Sequence, residues 1–504
     1  MARFVMANRI AGKFKNAEKV ASRQSLDFTF ETEFSHRVNL ISDINAKQPD
    51  TRRIVVFDAE PNEMAVIANN LPPEVILEPE ILHYPTETRF HSAWIPFVTT
   101  EENAADAGNG QTLTVHVKGN GQGVEGAELI LLLRNAFGAT DSIEVKQKTP
   151  ASGSVTFSYN FSWIPTALFI YPSGKFWSYV VRGPKNQIEI DLPALPEGPL
   201  GWWHQVLGIE QYSQERGHGT RIGVIDTGVG PHSHLSHVKC VGAFIGGNID
   251  PLGNEDVGSH GTHVCGIIGA RPPQSSKTFA GIAPGAELFC GRVFPANGKA
   301  NQADIANAID CLSRDNQVDL INLSLGADKR SEIERDAIID ALRRGTLCIC
   351  SAGNSAARVI YPAAFDETIA VSALGLEGWG PDGTLASIRY PTEKKKYGKH
   401  NLYLSDFSCF GPEITCCAPG VGIISTVPER YGLLTPNAAM DGTSMASPII
   451  CAALAVILSA TPDYLSLPRD SSRSSKARDL LRSNCRDLGL NLHYQGHGIL
   501  EIPR

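Results

Sequence analysis

The chain has 504 residues, 42 % of them hydrophobic and 19 % charged, which fits a folded protein of two to four domains at roughly 100–200 residues each. The net charge of −8 comes with no basic stripe, so nucleic acid is not an expected partner. No run reaches the roughly 18 apolar residues of a membrane span, and the first twenty residues lack the apolar centre of a secretory leader, so neither membrane nor export is expected.

The 11 cysteines are odd in number and begin only at Cys240. Cys348, Cys350 and Cys451 sit in apolar runs, where a thiol packs as a small hydrophobe. Adjacent Cys416 and Cys417 have poor disulfide geometry. Free thiols and a reducing, cytoplasmic location are the expectation.

Three zones follow in chain order. Residues 1–98 contain "RRIVVFD" (52–58), read as a strand, and "PNEMAVIANNL" (61–71), read as a short helix opened by proline. "EVILEPEILH" (74–83) reads as a second strand, giving a small α+β unit. Polar, acidic residues 99–110 form a linker. In 111–192, "TLTVHVK", "AELILLL", "SVTFSYN", "TALFIYP" and "FWSYVV" are short strands with turns such as "PASG" and "PSG" between them. Their alternation predicts a small β-sandwich whose aromatic residues fill its core. The break "LPALPEGPLG" separates this from 198–504, where "RIGVID", "VDLINLSLG" and "TLCICSAGN" read as strands. "HGTHVCGIIGA" and "EIERDAIIDALRRG" read as helices between them. Apolar strands alternating with helices predict a doubly wound parallel sheet of the α/β class. "IICAALAVIL" reads as a buried helix.

Ligands of such sheets bind beyond the carboxyl ends of the strands. Those ends hold Asp226, Ser324-Leu325-Gly326 and Ser351-Ala352-Gly353-Asn354; two helix starts add His260 and Ser444. An acid, an imidazole, an amide and a hydroxyl at one sheet edge suit nucleophilic acyl transfer. The imidazole takes the serine proton, the buried carboxylate orients the imidazole, and the amide receives the oxyanion. Ser444 belongs at a helix start because unpaired N–H groups point out there. Pro448 is expected about one turn in, where a missing N–H costs least.

"VIDTG", "HGTHVCG", "SAGN" and "GTSMASP", in that order, resemble the subtilisin-like serine proteases, and the order Asp, His, Ser separates them from other triad enzymes. The resemblance implies a subtilisin-like domain over 198–504, with Asp226, His260 and Ser444 as triad and Asn354 in the oxyanion hole. Ser324, Leu325 and Gly326 would pair with an extended peptide, with Ser351, Ala352 and Gly353 beside them. It also implies an inhibitor-type prodomain, of ferredoxin-like α+β form, over 1–98. Its tail would fill the cleft and be cut near 83–98. The intervening β-domain resembles Ig-like or carboxypeptidase-regulatory-like modules, and could dock a partner protein.

The resemblance implies a serine endopeptidase acting on protein or peptide, with no cofactor required. Calcium is common in the family, but Asp250, Asn254, Glu255 and Asp256 follow no calcium-loop spacing. His232, His234 and His237 read as a surface turn rather than a metal site. His263 is expected to pack inside its helix, and Cys265 to be inert packing near the triad. The insertion 376–402 could face substrate or decorate the surface. Two alternatives stay open: a transpeptidase or macrocyclase using the same acyl-enzyme, and a regulated binding scaffold.

Overall fold

The computed structural model describes residues 1–10, 16–34, 38–45, 51–86, 110–137, 142–296, 298–430 and 432–503. The N-terminal unit contains β1 (Ala2–Asn8), α1 (Asn16–Thr29), β2 (Asn39–Ile44), β3 (Ile54–Ala59), α2 (Pro61–Ala68) and β4 (Val75–Pro79). The sheet order is β2-β3-β1-β4, with β1 antiparallel to both β3 and β4. Side chains alternate faces along a strand, and here both faces are used. Phe4 and Phe57 pack with Phe30, Phe34 and Met64 on one side. Val5, Ala7, Ile54 and Val56 pack on the other, in one apolar cluster with Ile305, Ile309 and Ile338 of the third zone.

The stretch 74–83 is not one strand. β4 stops at Pro79, and the chain leaves the sheet to form β5 (Leu82–Pro85) elsewhere. β1, α1 and β2 were not legible in the sequence. The expected linker lies outside the described residues, apart from Gly110.

The second zone has β6 (Gln111–Gly119), β7 (Gln122–Gly123), β8 (Glu128–Asn135), β9 (Ser142–Lys148), β10 (Ser154–Tyr159), β11 (Trp163–Tyr171), β12 (Tyr179–Arg182) and β13 (Gln187–Asp191). One sheet is ordered β10-β6-β13, with β7 on β6; the other is β12-β11-β8-β9. Leu113, Val115, Leu129, Leu131, Phe157 and Leu168 fill the space between them. The polar strands β9 and β13 were missed by the sequence reading, because few of their side chains are buried.

The third zone begins with α3 (Trp202–Gln205) and continues with β14 (Arg221–Asp226), β15 (Lys239–Ile245), β16 (Asn248–Asp250), α4 (His260–Gly269), β17 (Glu287–Arg292), β18 (Ala300–Asn301) and α5 (Gln302–Asp310). Next come β19 (Leu320–Leu323), β20 (Leu325–Gly326), α6 (Glu332–Arg343), β21 (Leu347–Ser351), β22 (Ile369–Leu376), β23 (Leu402–Leu404) and β24 (Ile414–Pro419). It ends with β25 (Ile423–Thr426), β26 (Asn437–Met440), α7 (Thr443–Ala460), α8 (Ser471–Ser483), β27 (Cys485–Arg486), α9 (Leu492–Gln495) and β28 (Ile499–Leu500).

The main sheet runs β16-β15-β17-β14-β19-β21-β22-β24-β28-β27. β15, β17, β14, β19, β21, β22, β24 and β28 are parallel neighbours in turn. β19 and β21 are buried along their whole length, as expected of strands covered on both faces. α4 and α7 share the apolar cluster on one face, and α5 and α6 share that on the other.

The 18-residue α7 has a mean hydropathy of 1.9, so by length and composition it could cross a membrane, but 89 % of it is buried inside this chain. Pro448 lies beyond the first turn, inside the helix. Its missing N–H leaves the Ser444 carbonyl without its intrahelical donor. The Ser324 hydroxyl donates to that carbonyl instead, at 2.9 Å.

Candidate active site

Asp226 ends β14 and is almost fully buried; its Oδ1 accepts from Thr227 N and from His260 Nδ1, both at 2.7 Å. The Nδ1–H is therefore on the Asp226 side, which leaves Nε2 as the base position of a neutral ring. His260 opens α4, and that helix start is tied down by a residue the sequence reading had weighed only as a calcium ligand. Asp256 Oδ2 accepts from Thr262 N at 2.9 Å and from Thr262 Oγ1 at 2.5 Å; its Oδ1 accepts from Thr227 Oγ1 at 2.8 Å. Its carboxylate is thus occupied in capping α4.

Ser444 is the second residue of α7 and is fully buried. It follows Gly442, whose φ of 152° lies where side chains other than glycine's are strained. α4 and α7 pack against each other. Asn354 follows β21, and its orientation is fixed: Oδ1 accepts from Thr443 N at 2.9 Å and Thr443 Oγ1 at 2.8 Å. The amide nitrogen must therefore point away from Thr443, into the cleft.

The cleft is occupied by the chain itself. β5 lies between two strands of the third zone, antiparallel to both. His83 and Leu82 pair with Ala300 and Asn301; Pro85 and Tyr84 pair with Leu325 and Gly326. Thr86 N donates to Ser324 O at 3.1 Å. Its carbonyl accepts from Ser444 N at 3.2 Å and from Asn354 Nδ2. Its hydroxyl lies 2.5 Å from Ser351 Oγ and 2.6 Å from Ser444 Oγ, which itself donates to Ser324 O at 3.1 Å. Ala352 and Gly353 form the turn beneath: Ile360 N donates to Ala352 O, and Gly353 N donates to Thr443 Oγ1. Ser444, Asn354, Ser324 and Ser351 therefore meet at Thr86, and His260 pairs with Asp226. Thr86 and Thr443 were not singled out from the sequence, although Thr443 lies inside "GTSMASP".

Beside Tyr84 and Pro85 the cleft opens into a cavity of ≈ 820 Å³. Its walls are His260 and Ser259, Tyr171 and Trp177 of the second zone, and Leu385 and Ala386 of the insertion. The insertion 376–402 therefore serves two ends. It carries the β-sandwich: Val180 N donates to Gly383 O at 2.9 Å, Leu385 N donates to Ser178 O at 3.0 Å, and Trp177 meets Trp379 edge to face. It also braces the Ser444 turn. Arg389 is fully buried, and its Nε donates to Asp441 Oδ2 at 2.9 Å, while Asp441 Oδ1 accepts from Gly422 N at 2.7 Å.

His263 packs as expected, its Nε2 3.0 Å from Ile423 O. Cys265 is fully buried, and together with burial it holds the neighbouring Cys290 thiol well above its ordinary pKa, so the Cys290 thiol is not placed to react readily. His232 Nδ1 accepts from His234 N at 3.2 Å in a short turn, and burial lowers both pKa values. Asp250 Oδ1 accepts from Leu252 N, and Asn254 Oδ1 from Gly242 N. Among the described residues, no group of three His, Cys, Asp or Glu side chains could hold a metal ion.

A parallel sheet carrying an Asp226–His260 pair, with a hydroxyl and an amide that meet one carbonyl, fits a serine hydrolase of the α/β type. Residues 217–498 match the model of the Subtilase family, and the chain belongs to that family as a subtilisin-like serine endopeptidase. It is 30 % identical to subtilisin DY of Bacillus licheniformis over 294 residues, 57 % of this chain and 90 % of that one. It is also 30 % identical to subtilisin E of Bacillus subtilis (strain 168) over 292 residues, 57 % of this chain and 65 % of that one. A solved protease structure from Pseudoalteromonas arctica aligns with a TM-score of 0.46 at 24 % identity, covering 57 % of this chain and 89 % of that one.

Proposed function

We propose that Ser444 is the nucleophile and that the chain cuts itself between Thr86 and Glu87. In this reading residues 1–86 act as an inhibitor-type prodomain. The observation that carries it is the Thr86 carbonyl, which accepts from both Ser444 N and Asn354 Nδ2. Those are the two donors an oxyanion needs, and they already hold the ground-state carbonyl.

Ser444 Oγ would attack that carbonyl carbon while His260 Nε2 takes the hydroxyl proton. Asp226 stabilises the imidazolium, and His260 then returns the proton to the amine of Glu87. Water would open the acyl-enzyme in the reverse sequence of proton transfers. External protein or peptide substrates would use the same strand position once residues 82–86 leave. The β-sandwich, as a wall of the cavity, would screen which substrates reach it.

Intact-mass measurement of the wild-type and Ser444→Ala chains tests the reading. The expected result is a wild-type product beginning at Glu87 and an uncut variant. Identical masses, or a cut unaffected by Ser444→Ala, would refute self-processing. A reducing, cytoplasmic compartment is part of the same proposal, supported by all eleven cysteines being free. Fractionation that finds the processed protein outside the cytoplasm would refute that part.

A further inference from the structure

Along 82–86 the side chains alternate: Leu82 and Tyr84 face solvent, whereas His83 and Thr86 are buried. His83 is the fourth residue upstream of the bond between Thr86 and Glu87, and its ring has 0 % exposure. Its Nε2 lies 3.1 Å from Glu334 Oε2, and Glu334 on α6 is likewise 0 % exposed. Among the described residues, the second carboxylate oxygen of Glu334 and the His83 Nδ1 have no hydrogen-bond partner.

A buried carboxylate with a spare acceptor is costly unless a donor or a cation reaches it. Within this cleft the neighbour that meets it is the side chain of the bound strand. When that strand leaves, Glu334 faces the empty subsite, and the next peptide must supply the donor. An aliphatic side chain there would leave the carboxylate dry and unpaired, and an acidic one would add like-charge repulsion. Histidine, lysine or arginine would satisfy it, and arginine could use both oxygens. Specificity gained by leaving a buried polar group unpaired in the wrong complex is larger than that from apolar fit alone.

We infer that Glu334 is a specificity-determining residue that selects histidine or a basic side chain four residues upstream of the cleaved bond. The inference rests on the reading of 82–86 as a substrate-like strand. The test uses the full chain and peptides of sequence Leu-His-Tyr-Pro-Thr-Glu, with the second residue His, Arg, Leu or Asp and products identified by mass. The His and Arg peptides should exceed the Leu peptide by about tenfold or more in kcat/KM, with Asp lowest. Glu334→Leu should place the Leu peptide first, and Glu334→Gln should abolish the advantage of Arg. The same ranking in wild type and Glu334→Leu would overturn the inference.

A second readout does not need turnover. In the uncut Ser444→Ala chain, His83→Leu and Glu334→Leu are combined and Tm is measured. A double variant more stable than the sum of the single losses supports direct pairing; additive losses overturn it. Pairing without any peptide ranking would reduce the contact to an anchor and overturn the specificity claim. A wild-type chain that leaves the Thr86 bond intact, yet ranks longer peptides by upstream charge in a Glu334-dependent way, would sink only the self-processing reading.

Discussion

At the scale of single residues, the cleft depends on groups whose orientation is fixed by a second partner. Thr443 holds the Asn354 amide so that its nitrogen faces the Thr86 carbonyl. Asn354→Leu should lower kcat by about 10²–10³-fold with little change in KM, read by steady-state kinetics. Thr86 has the opposite effect, since its hydroxyl engages the Ser444 hydroxyl. Thr86→Val should therefore speed self-cleavage by about three- to tenfold in a time course of processing. His204 is a buried histidine that must stay neutral: its Nδ1 accepts from Gly201 N at 3.0 Å while its Nε2 lies 3.1 Å from Ala280 O. Burial first, then nearby Arg216, lowers its pKa to about 3. The unfolded chain takes up this proton near pH 6.5 and the folded chain does not. Its contribution is therefore intact above pH 6.5 and lost as pH falls toward about 3, at up to about 1.4 kcal/mol per pH unit. Urea unfolding of the Ser444→Ala chain between pH 7 and 5 should show this slope, and His204→Gln should remove one proton's worth of it.

At the scale of elements, helix starts do the positioning, and some are braced by groups far away in sequence. α4 is capped by Asp256 from its own approach loop, but α6 receives Glu78 from the N-terminal unit, whose Oε2 accepts from Glu332 N at 2.9 Å. The turn before α7 is braced by Arg389 from the insertion. Burial opposes the charge on Arg389, but Asp441 and Asp406 outweigh it and its pKa is raised. Removing one partner of a buried pair strands the other charge. Arg389→Met should cost about 3–5 kcal/mol in chemical unfolding and lower kcat, because Asp441 lies three residues before Ser444. A variant with unchanged stability would mean that the insertion is only a platform for the β-sandwich. The motif elements were legible because each needs particular residues at a particular backbone shape, as Gly442 and Ser444 do. β1, β9, β13 and the break at Pro79 were not legible, since their pairing partners, and not their own patterns, make them strands.

At the scale of the whole molecule, the N-terminal unit is held by a buried charge cluster as well as by apolar packing. Arg52 is fully buried; it donates to Asp310 on α5 and, at 2.7 Å, to Asp336 on α6, which also accepts from Ile10 N at 2.9 Å. Burial alone would lower the Arg52 pKa, yet these acids raise it. Arg52→Met would remove the cation shared by the two acids, leaving Arg344 on Asp310, so residues 1–86 should dissociate from the processed enzyme about tenfold or more faster, read by size-exclusion and inhibition kinetics. By itself the sequence determined the parallel α/β sheet and marked Asp226, His260, Asn354 and Ser444 as candidates, because those follow from local periodicity and from residue types that strand ends and helix starts demand. Only the tertiary structure decided that residues 82–86 fill the cleft, that Glu334 meets His83 and that the insertion carries the β-sandwich. Those contacts join positions up to 358 residues apart, and between chemically ordinary side chains at such distances the chain carries no local periodicity or spacing to mark them.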